Sequence, residues 1–341
     1  MERELCLHVP AQAQFAIAKA VRSHKAGRQS LRALYFDTAT RTLAGAGIAL
    51  RVRCENGQWV QTVKAPGPDP LSRIEINHPR PSAELDLSLY DSSPLAEFLA
   101  SLSEPLGVRY ETDVQRESFQ LEHAGANIEV ASDTGFILAK GWKLPVNEIE
   151  FELLEGEMAG VFDLALHWLN HYGLIIETRS KAQRGDRLAA LMPASKESKG
   201  SAPPAVFEPR RAMRLPHLRA LPAVQGYITC STECLLQVSA NASLLAGVDA
   251  TSTTAEQTKA QFHQFLRGVR RLQACWKRYS DLAPGTRPDL SKMFHTKQAH
   301  QWRDTAASRE FQSMLLRLLK QTVLTGDRDR QQVAVSSPQP L

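Results

Sequence analysis

Charged side chains recur two or four positions apart in several short segments of the first half of the chain. They include Glu2 and Glu4, Arg51 and Arg53, Arg73 and Glu75, Glu129 and Asp133, and Glu148, Glu150 and Glu152. Residues two apart on a β-strand share one face. Carboxylates bind divalent cations, whereas arginine and lysine bind phosphate oxygens. A metal ion, a cationic cradle and a positioned water are what phosphoryl transfer requires.

Two arrangements of these charged faces are open. In the first they face solvent, as is normal for one side of an antiparallel sheet. In the second the sheet closes into a barrel with the charged faces turned inward. Three carboxylates on one face, as at residues 148, 150 and 152, repel one another unless cations lie between them. This repulsion favours the closed barrel, in which acidic and basic faces meet.

The elements that would position these residues are mainly short strands. Alternating apolar and polar residues predict strands at 31–37, 48–53, 59–63, 73–77, 117–121, 127–131 and 148–153. Turn residues such as Asn56-Gly57 and Pro66-Gly67-Pro68 separate them. Helices are predicted at 11–23, 94–102 and 158–172, the last ending at Gly173. This pattern predicts an α+β fold with an antiparallel β-barrel.

The second half of the chain has a different character. Residues 192–206 are rich in Pro, Ser and Lys and predict a linker after a first domain at 1–191. Helical spacing at 221–246, 255–279 and 303–324 predicts a helix bundle within a second domain at 207–326, followed by a disordered tail at 327–341. Because every charged strand motif lies within 1–191, we expect that domain to keep its activity when it is separated.

Composition narrows the partners. Residues 1–200 carry 22 Lys+Arg and 26 Asp+Glu, and residues 201–341 carry 19 and 10, so the second half is basic. An Arg-rich half suits a polyanion, but it lacks the interleaved aromatic residues of a nucleic-acid binder.

There is no apolar segment of membrane-spanning or signal-peptide length, so we expect a cytoplasmic protein without a membrane partner. Five scattered cysteines without a CxxC pair predict reduced thiols.

The charged motifs resemble those of a known family. Glu2-Arg3-Glu4 is similar to the Glu-x-Glu-x-Lys signature of the CYTH superfamily of class IV adenylate cyclases and thiamine triphosphatases. The resemblance continues in the same order over about 190 residues. It includes Arg51-Val52-Arg53, Thr62-Val63-Lys64, Arg73-Ile74-Glu75, Ile128-Glu129-Val130, Glu148-Ile149-Glu150-Phe151-Glu152 and Ser180-Lys181-Ala182-Gln183-Arg184.

The resemblance implies the triphosphate tunnel fold and a set of site residues. It implies Mg²⁺ or Mn²⁺ as the cofactor, held by Glu2, Glu4, Glu129, Glu148 and Glu150. The triphosphate oxygens would be bound by Arg51, Arg53, Lys64, Arg73, Lys181 and Arg184. Glu4, Arg51, Arg53, Lys64, Arg73 and Lys181 would be catalytic. Glu75 and Glu152 could face either outward or towards the site.

One position departs from the family signature. Cys6 stands where the signature has lysine. A thiol is a weak hydrogen-bond donor without a fixed charge, so we expect a weakened site. We also expect the arginines of the site to lower the pKa of the thiol and to cause a loss of activity at alkaline pH.

The second half resembles part of the conserved-histidine α-helical (CHAD) domain of two-domain bacterial relatives. The similar helix is His263-Gln264-Phe265-Leu266-Arg267-Gly268-Val269-Arg270-Arg271-Leu272. This layout implies a metal-dependent inorganic triphosphatase that converts tripolyphosphate to pyrophosphate and phosphate. A non-catalytic polyphosphate-binding protein and a triphosphatase for an organic substrate such as thiamine triphosphate are the alternatives.

Overall fold

The computed structural model describes residues 1–203, 207–249, 253–283, 285, 287–294 and 298–336. The strands are β1 Glu2–His8, β2 Gly27–Asp37, β3 Ala49–Glu55, β4 Gln58–Pro66, β5 Ser72–Arg80, β6 Gly107–His123, β7 Ala126–Ala139, β8 Trp142–Glu155 and β9 Ile175–Ile176. The helices are α1 Gln14–Ser23, α2 Thr42–Gly45, α3 Ala96–Ala100, α4 Met158–Tyr172, α5 Lys181–Ala189, α6 Ala223–Ala246, α7 Ala255–Arg278, α8 Ala299–Ala307 and α9 Arg309–Ser336.

Strands β1 to β8 form a closed antiparallel barrel. Neighbouring strands follow the order β5-β4-β3-β2-β6-β7-β8-β1, and pairing of β1 with β5 closes the ring. The short β9 pairs with Leu7 and His8 of β1, on the strand edge that β5 does not reach. The predicted antiparallel barrel followed by helices is therefore confirmed. Strands β6 and β7 extend well beyond the segments predicted at 117–121 and 127–131.

The helices cover the outside of β1 and β8 with one continuous apolar core. The barrel contributes Leu5, Leu7, Ile149 and Phe151, all nearly or fully buried. Strands β6 and β7 and helix α1 add further members, and α4 and α6 to α9 contribute Trp168, Val238, Phe265, Phe311, Leu315 and Leu319. Because both halves share this core, the expectation that the first domain is independent of the second does not fit the structure.

The C-terminal segment corrects another prediction. Residues 327–336, predicted to be disordered, continue α9, and residues 337–341 lie outside the described part of the chain. Asp327 and Arg330 reach the barrel, where Arg330 and Arg3 both contact Asp69 at 3.0 and 3.3 Å. These ion pairs give the last turns of α9 a tertiary anchor that local composition does not show. Among the described residues, every helix is too short or too polar to span a bilayer.

Candidate active site in the barrel

The charged strand faces line the barrel interior. On β1, Leu5 and Leu7 pack outward into the apolar core, so Glu2, Glu4 and Cys6 point inward. Strand β8 repeats this arrangement, with Ile149 and Phe151 outward and residues 148, 150 and 152 inward. The alternation in the sequence thus predicted the correct grouping of side chains, and barrel closure decides that the charged group is the inner one.

An acidic row crosses three neighbouring strands. Glu4 on β1 lies opposite Glu152 on β8, which lies opposite Glu129 on β7. Such cross-strand neighbours have Cβ atoms about 5 Å apart. Within the described part of the chain, none of the three forms an ion pair. Burial, and then repulsion by Glu150, raises the pKa of Glu4, while burial and Glu4 raise the pKa of Glu152 to about 7.

A cationic group lies on β3, β4 and β5. Lys64 contacts Glu2 at 2.6 Å and Glu75 at 3.0 Å, so Glu75 belongs to the interior. Two arginines of the group have no carboxylate partner among the described residues. Arg51 donates to the Tyr35 hydroxyl at 3.4 Å, and Arg73 donates to the carbonyl oxygens of residues 70 and 72 at 3.2 and 2.8 Å. Arg53, the fourth member, is held by Glu55 at 2.6 Å.

Helix α5 enters one end of the barrel. A capping box between Ser180 and Gln183 starts the helix. Its Leu188 packs against Tyr35 and Tyr110 in an apolar cluster. Gly185 allows this approach, because a Cβ atom there would lie 2.2 Å from the Tyr110 ring. The helix therefore fills this end with apolar side chains and presents its first turn to the charged interior.

Lys181, in that first turn, neutralises carboxylates of β7 and β8. Its Nζ lies 2.7 Å from both Asp133 and Glu150 and also contacts Glu148. Arg116 of β6 donates twice to Asp133, at 2.7 Å each, and also binds Glu150. Although burial opposes it, the surrounding carboxylates raise the pKa of Lys181 well above its ordinary value. Glu148 and Glu150 are therefore compensated by cations of the protein itself.

Arg184 is only 2% exposed and its donors are largely occupied. It contacts Glu148 and Asp249 at 2.7 Å each and donates to the Pro145 carbonyl at 2.8 Å. Its Nε is buried without a hydrogen-bond partner. The structure thus places Arg184 behind Glu148. Its two terminal nitrogens are already bound by protein groups, so they are less available to a phosphate than those of Arg51 or Arg73 are.

Sequence reasoning missed two residues of this charge network. Arg116 lies on the strand just before the predicted segment 117–121, and continuing the alternation through Val114 and Arg116 would have found it. Asp249, which follows α6, carries no local signal. Its position depends on how the helices pack against the barrel.

The acidic row suits a divalent cation better than the other candidate group does. Donor atoms of Cys6, Glu148 and Glu150 lie within 4.8 Å of one another. The Lys181 ammonium already contacts both carboxylates of that group. By contrast, Glu4, Glu152 and Glu129 are hard oxygen donors that form no ion pair among the described residues, and such oxygens are the donor set that Mg²⁺ or Mn²⁺ prefers. Of the residues assigned to metal by resemblance, Glu4 and Glu129 thus remain available, whereas Glu2, Glu148 and Glu150 have cationic partners.

Cys6 faces the interior, as the alternation predicted, but its thiol is not activated. It lies opposite Glu150. Burial first, and then repulsion by Glu148 and Glu150, raises the pKa of the Cys6 thiol well above its ordinary value. The expectation that nearby arginines lower this pKa is therefore wrong, because burial and the two carboxylates together outweigh the attraction of nearby cations.

Ionisation of Glu152 is expected to destabilise the folded chain as pH rises. Its pKa is 4.5 without perturbation and about 7 in the folded state, so the folded chain binds this proton more tightly. The resulting stability is complete below pH 4.5 and is lost as pH rises through about 7.

Glu152→Gln stays neutral, so it should raise the melting temperature by a few degrees more at about pH 8 than at about pH 4.5. Thermal unfolding in EDTA measures the difference between variant and parent at both pH values. Equal differences at the two values would show that Glu152 is not the titrating group.

Comparisons with known proteins agree with this architecture. A family model described as the CYTH domain matches residues 1–185. The chain is 31% identical over 160 residues to the inorganic triphosphatase of Haemophilus influenzae, covering 44% of this chain and 44% of that protein. The chain thus spans less than half the length of this curated relative.

Solved structures with a similar barrel include two putative cyclases. One is a putative adenylyl cyclase from Hippeastrum, described as having a dominant triphosphatase activity, with a TM-score of 0.43 and 19% identity over 57% of this chain and 98% of that one. The other, from Bacillus halodurans, has a TM-score of 0.40 and 19% identity over 54% and 96%.

The family match, the closed barrel and its charged interior concern the same residues. The matched segment covers more than half of the 341 residues. It includes all strands of the barrel and the first turn of α5. The chain therefore belongs to the CYTH domain family.

Proposed function

We propose that the barrel hydrolyses inorganic triphosphate to pyrophosphate and phosphate with the help of a divalent cation. The observation that carries this proposal is that one closed barrel holds two groups side by side. They are the acidic row, which forms no ion pair among the described residues, and two arginines that have no carboxylate partner there. The first can hold Mg²⁺ or Mn²⁺, and the second can hold phosphate oxygens. The name of the Haemophilus influenzae relative supports the choice of substrate.

The side chains divide into distinct roles. Arg51 and Arg73 bind phosphate oxygens, because no carboxylate of the described residues pairs with their guanidinium groups. Lys64, Arg53 and Lys181 exchange part of their carboxylate contacts for phosphate when the substrate binds. Glu4, Glu152 and Glu129 would hold the cation, which would lower the charge of the triphosphate and polarise a water.

The reaction transfers one phosphoryl group to water. The water oxygen forms a bond to a terminal phosphorus, the P–O bond to pyrophosphate breaks, and the water proton passes to a carboxylate of the acidic row. The arginines stabilise the charge that gathers on the departing pyrophosphate.

Phosphate release from tripolyphosphate, with ATP and thiamine triphosphate as competing substrates, tests this proposal. We expect turnover with Mg²⁺ or Mn²⁺, none in EDTA, and preference for tripolyphosphate. Preference for thiamine triphosphate would instead assign an organic substrate. Absence of turnover on all three would contradict hydrolysis and favour the polyphosphate-binding alternative.

The helical region has one feature that suits polyphosphate binding. His263, Arg267 and Arg270 are exposed along one side of α7, whereas Arg271 turns inward to Gln237. We propose that residues 207–326 are a shortened CHAD-like region and that this side of α7 attracts polyphosphate. Affinity that falls steeply with salt would support it, since such binding comes mainly from counterion release.

Cys6→Lys is expected to strengthen the site. It adds a cation to the interior face of β1, where a charge-assisted hydrogen bond contributes about 1.5–3 kcal/mol. Turnover should rise about ten- to a hundredfold if the contact forms in the transition state. Steady-state phosphate release measures the effect.

Cys54→Lys is the matched control, since it adds the same charge to the opposite face of β3 and should leave turnover unchanged. Because burial raises the thiol pKa, the parent and Cys6→Ser should share one pH profile between about pH 7 and 10. A Cys6→Lys variant no faster than Cys54→Lys would place residue 6 away from the substrate.

A further inference from the structure

Asp249 is a buried carboxylate that the helical region delivers to the end of the barrel. Helix α6 ends at Ala246, and positive φ values at Gly247 and Asp249 turn the chain. The Asp249 side chain is only 2% exposed. It contacts Arg184 at 2.7 Å and Arg179 at 3.2 Å, two arginines that both belong to the barrel half of the chain.

A continuous series of charge contacts leads from Asp249 to the barrel interior. Arg184 joins Asp249 to Glu148, which is 3% exposed. Glu148 in turn contacts Lys181, whose ammonium also lies 2.7 Å from Asp133 and Glu150. Each member is buried, and Arg184, Glu148 and Lys181 each contact more than one charged partner. Removing a charge at one end therefore changes how the next members share their contacts.

Arg179 provides a comparison within the same interface. It contacts Asp249 and Glu177, and its guanidinium lies over the Phe207 ring at 4.5 Å. Among the described residues, none of these partners forms an ion pair or hydrogen bond with Asp133, Glu148 or Glu150. Arg179 and Arg184 are thus both buried ion-pair partners of Asp249, and only Arg184 continues into the interior.

We propose that Asp249 is a positioning residue for the barrel chemistry, acting through Arg184 and Glu148 on Lys181. This inference rests on the proposed triphosphate hydrolysis. Asp249 takes up part of the charge of Arg184, so that Glu148 is shared between Arg184 and Lys181. Without the Asp249 carboxylate, Arg184 draws Glu148 towards itself, and Lys181 loses one of the carboxylates that orient it. The helical region thereby completes the site.

Steady-state hydrolysis of tripolyphosphate by full-length variants tests the proposal. Asp249→Asn should lower kcat about ten- to a hundredfold, the range seen when a supporting contact behind a site is lost. KM should not rise, because removing a negative charge does not weaken attraction for an anion. Arg179→Gln should reduce the melting temperature while leaving kcat within about twofold. Asp304→Asn, which removes the same charge from an exposed position of α8, should match the parent.

A double-mutant cycle separates positioning from a loss of folding. Arg184→Gln with Asp249→Asn removes both buried charges together and leaves neither uncompensated. If Asp249 acts through Arg184, adding Asp249→Asn to Arg184→Gln should cause no further loss of kcat. Additive losses, an unchanged kcat in Asp249→Asn, or an equal loss in Arg179→Gln would overturn the inference. An inactive parent would instead refute the proposed hydrolysis itself, together with the role that depends on it.

Discussion

A fragment that ends at residue 191 and lacks the helical region is expected to lose its soluble folded state and at least about a hundredfold of its triphosphate turnover, the scale for losing a main transition-state stabiliser. Leu5, Leu7, Phe151 and Trp168 lie in a core that α6 to α9 complete. Exposing a buried side chain of this size costs about 1.5–3 kcal/mol. Several such losses exceed the total stability of about 5–15 kcal/mol of an ordinary domain.

Urea unfolding, size-exclusion chromatography and phosphate release on the 1–191 fragment measure this effect. The matched control is the full-length chain with a protease site inserted in the 192–206 linker. Once cut, it should keep turnover, because the shared core holds both parts together. A fragment that stays monomeric and retains full turnover would show that the helices are dispensable, as the position of the motifs in the sequence suggested.

Glu4→Gln is expected to lower turnover about a hundredfold or more, the scale for losing a main electrostatic contact in a reaction centre. Glu4 is the member of the acidic row that Glu150 also repels, and both burial and that repulsion raise its pKa. A bound divalent cation would offset this repulsion. Glu4→Gln should therefore lose both metal affinity and turnover. Glu97→Gln is the control, because Glu97 is exposed on α3.

A second readout separates metal binding from chemistry. Mn²⁺ should raise the melting temperature of the parent and of Glu97→Gln, because a ligand that binds only the folded state stabilises it. This increase should be much smaller in Glu4→Gln. If Mn²⁺ stabilises Glu4→Gln as strongly as the parent, the cation lies elsewhere in the barrel.

Much of the fold was predictable because strand faces depend on local periodicity. Alternation alone grouped Glu2 with Glu4, Arg51 with Arg53, and Glu148 with Glu150, and each group shares one face in the barrel. Helix α4 spans Met158–Tyr172 and ends at Gly173, as its apolar stripe and stop signal predicted. The prediction of a disordered tail was wrong for residues 327–336, because α9 continues there and contacts of Asp327 and Arg330 with residues distant in the sequence hold it.

The pairing of charges inside the barrel was not predictable, because it depends on register and on approach between distant segments. A period of two tells which side chains share a face, but not which carboxylate meets which cation. The tertiary structure decided that Glu148 and Glu150 are compensated by Lys181 and Arg116, and that Glu4 forms no ion pair among the described residues. The expected pKa shift of Cys6 is reversed as well, because burial, and then repulsion by Glu148 and Glu150, raises the pKa of its thiol.

The sequence by itself determined the strand faces, the basic second half and the family resemblance, because these depend only on which residue types occur and on their spacing. Only the tertiary structure decided that the two halves share a core and that Asp249 reaches Arg184. Arg184 and Asp249 are 65 positions apart in the sequence. Such contacts form because buried apolar surface and buried charge must find partners wherever the fold brings them, and no local pattern records that choice.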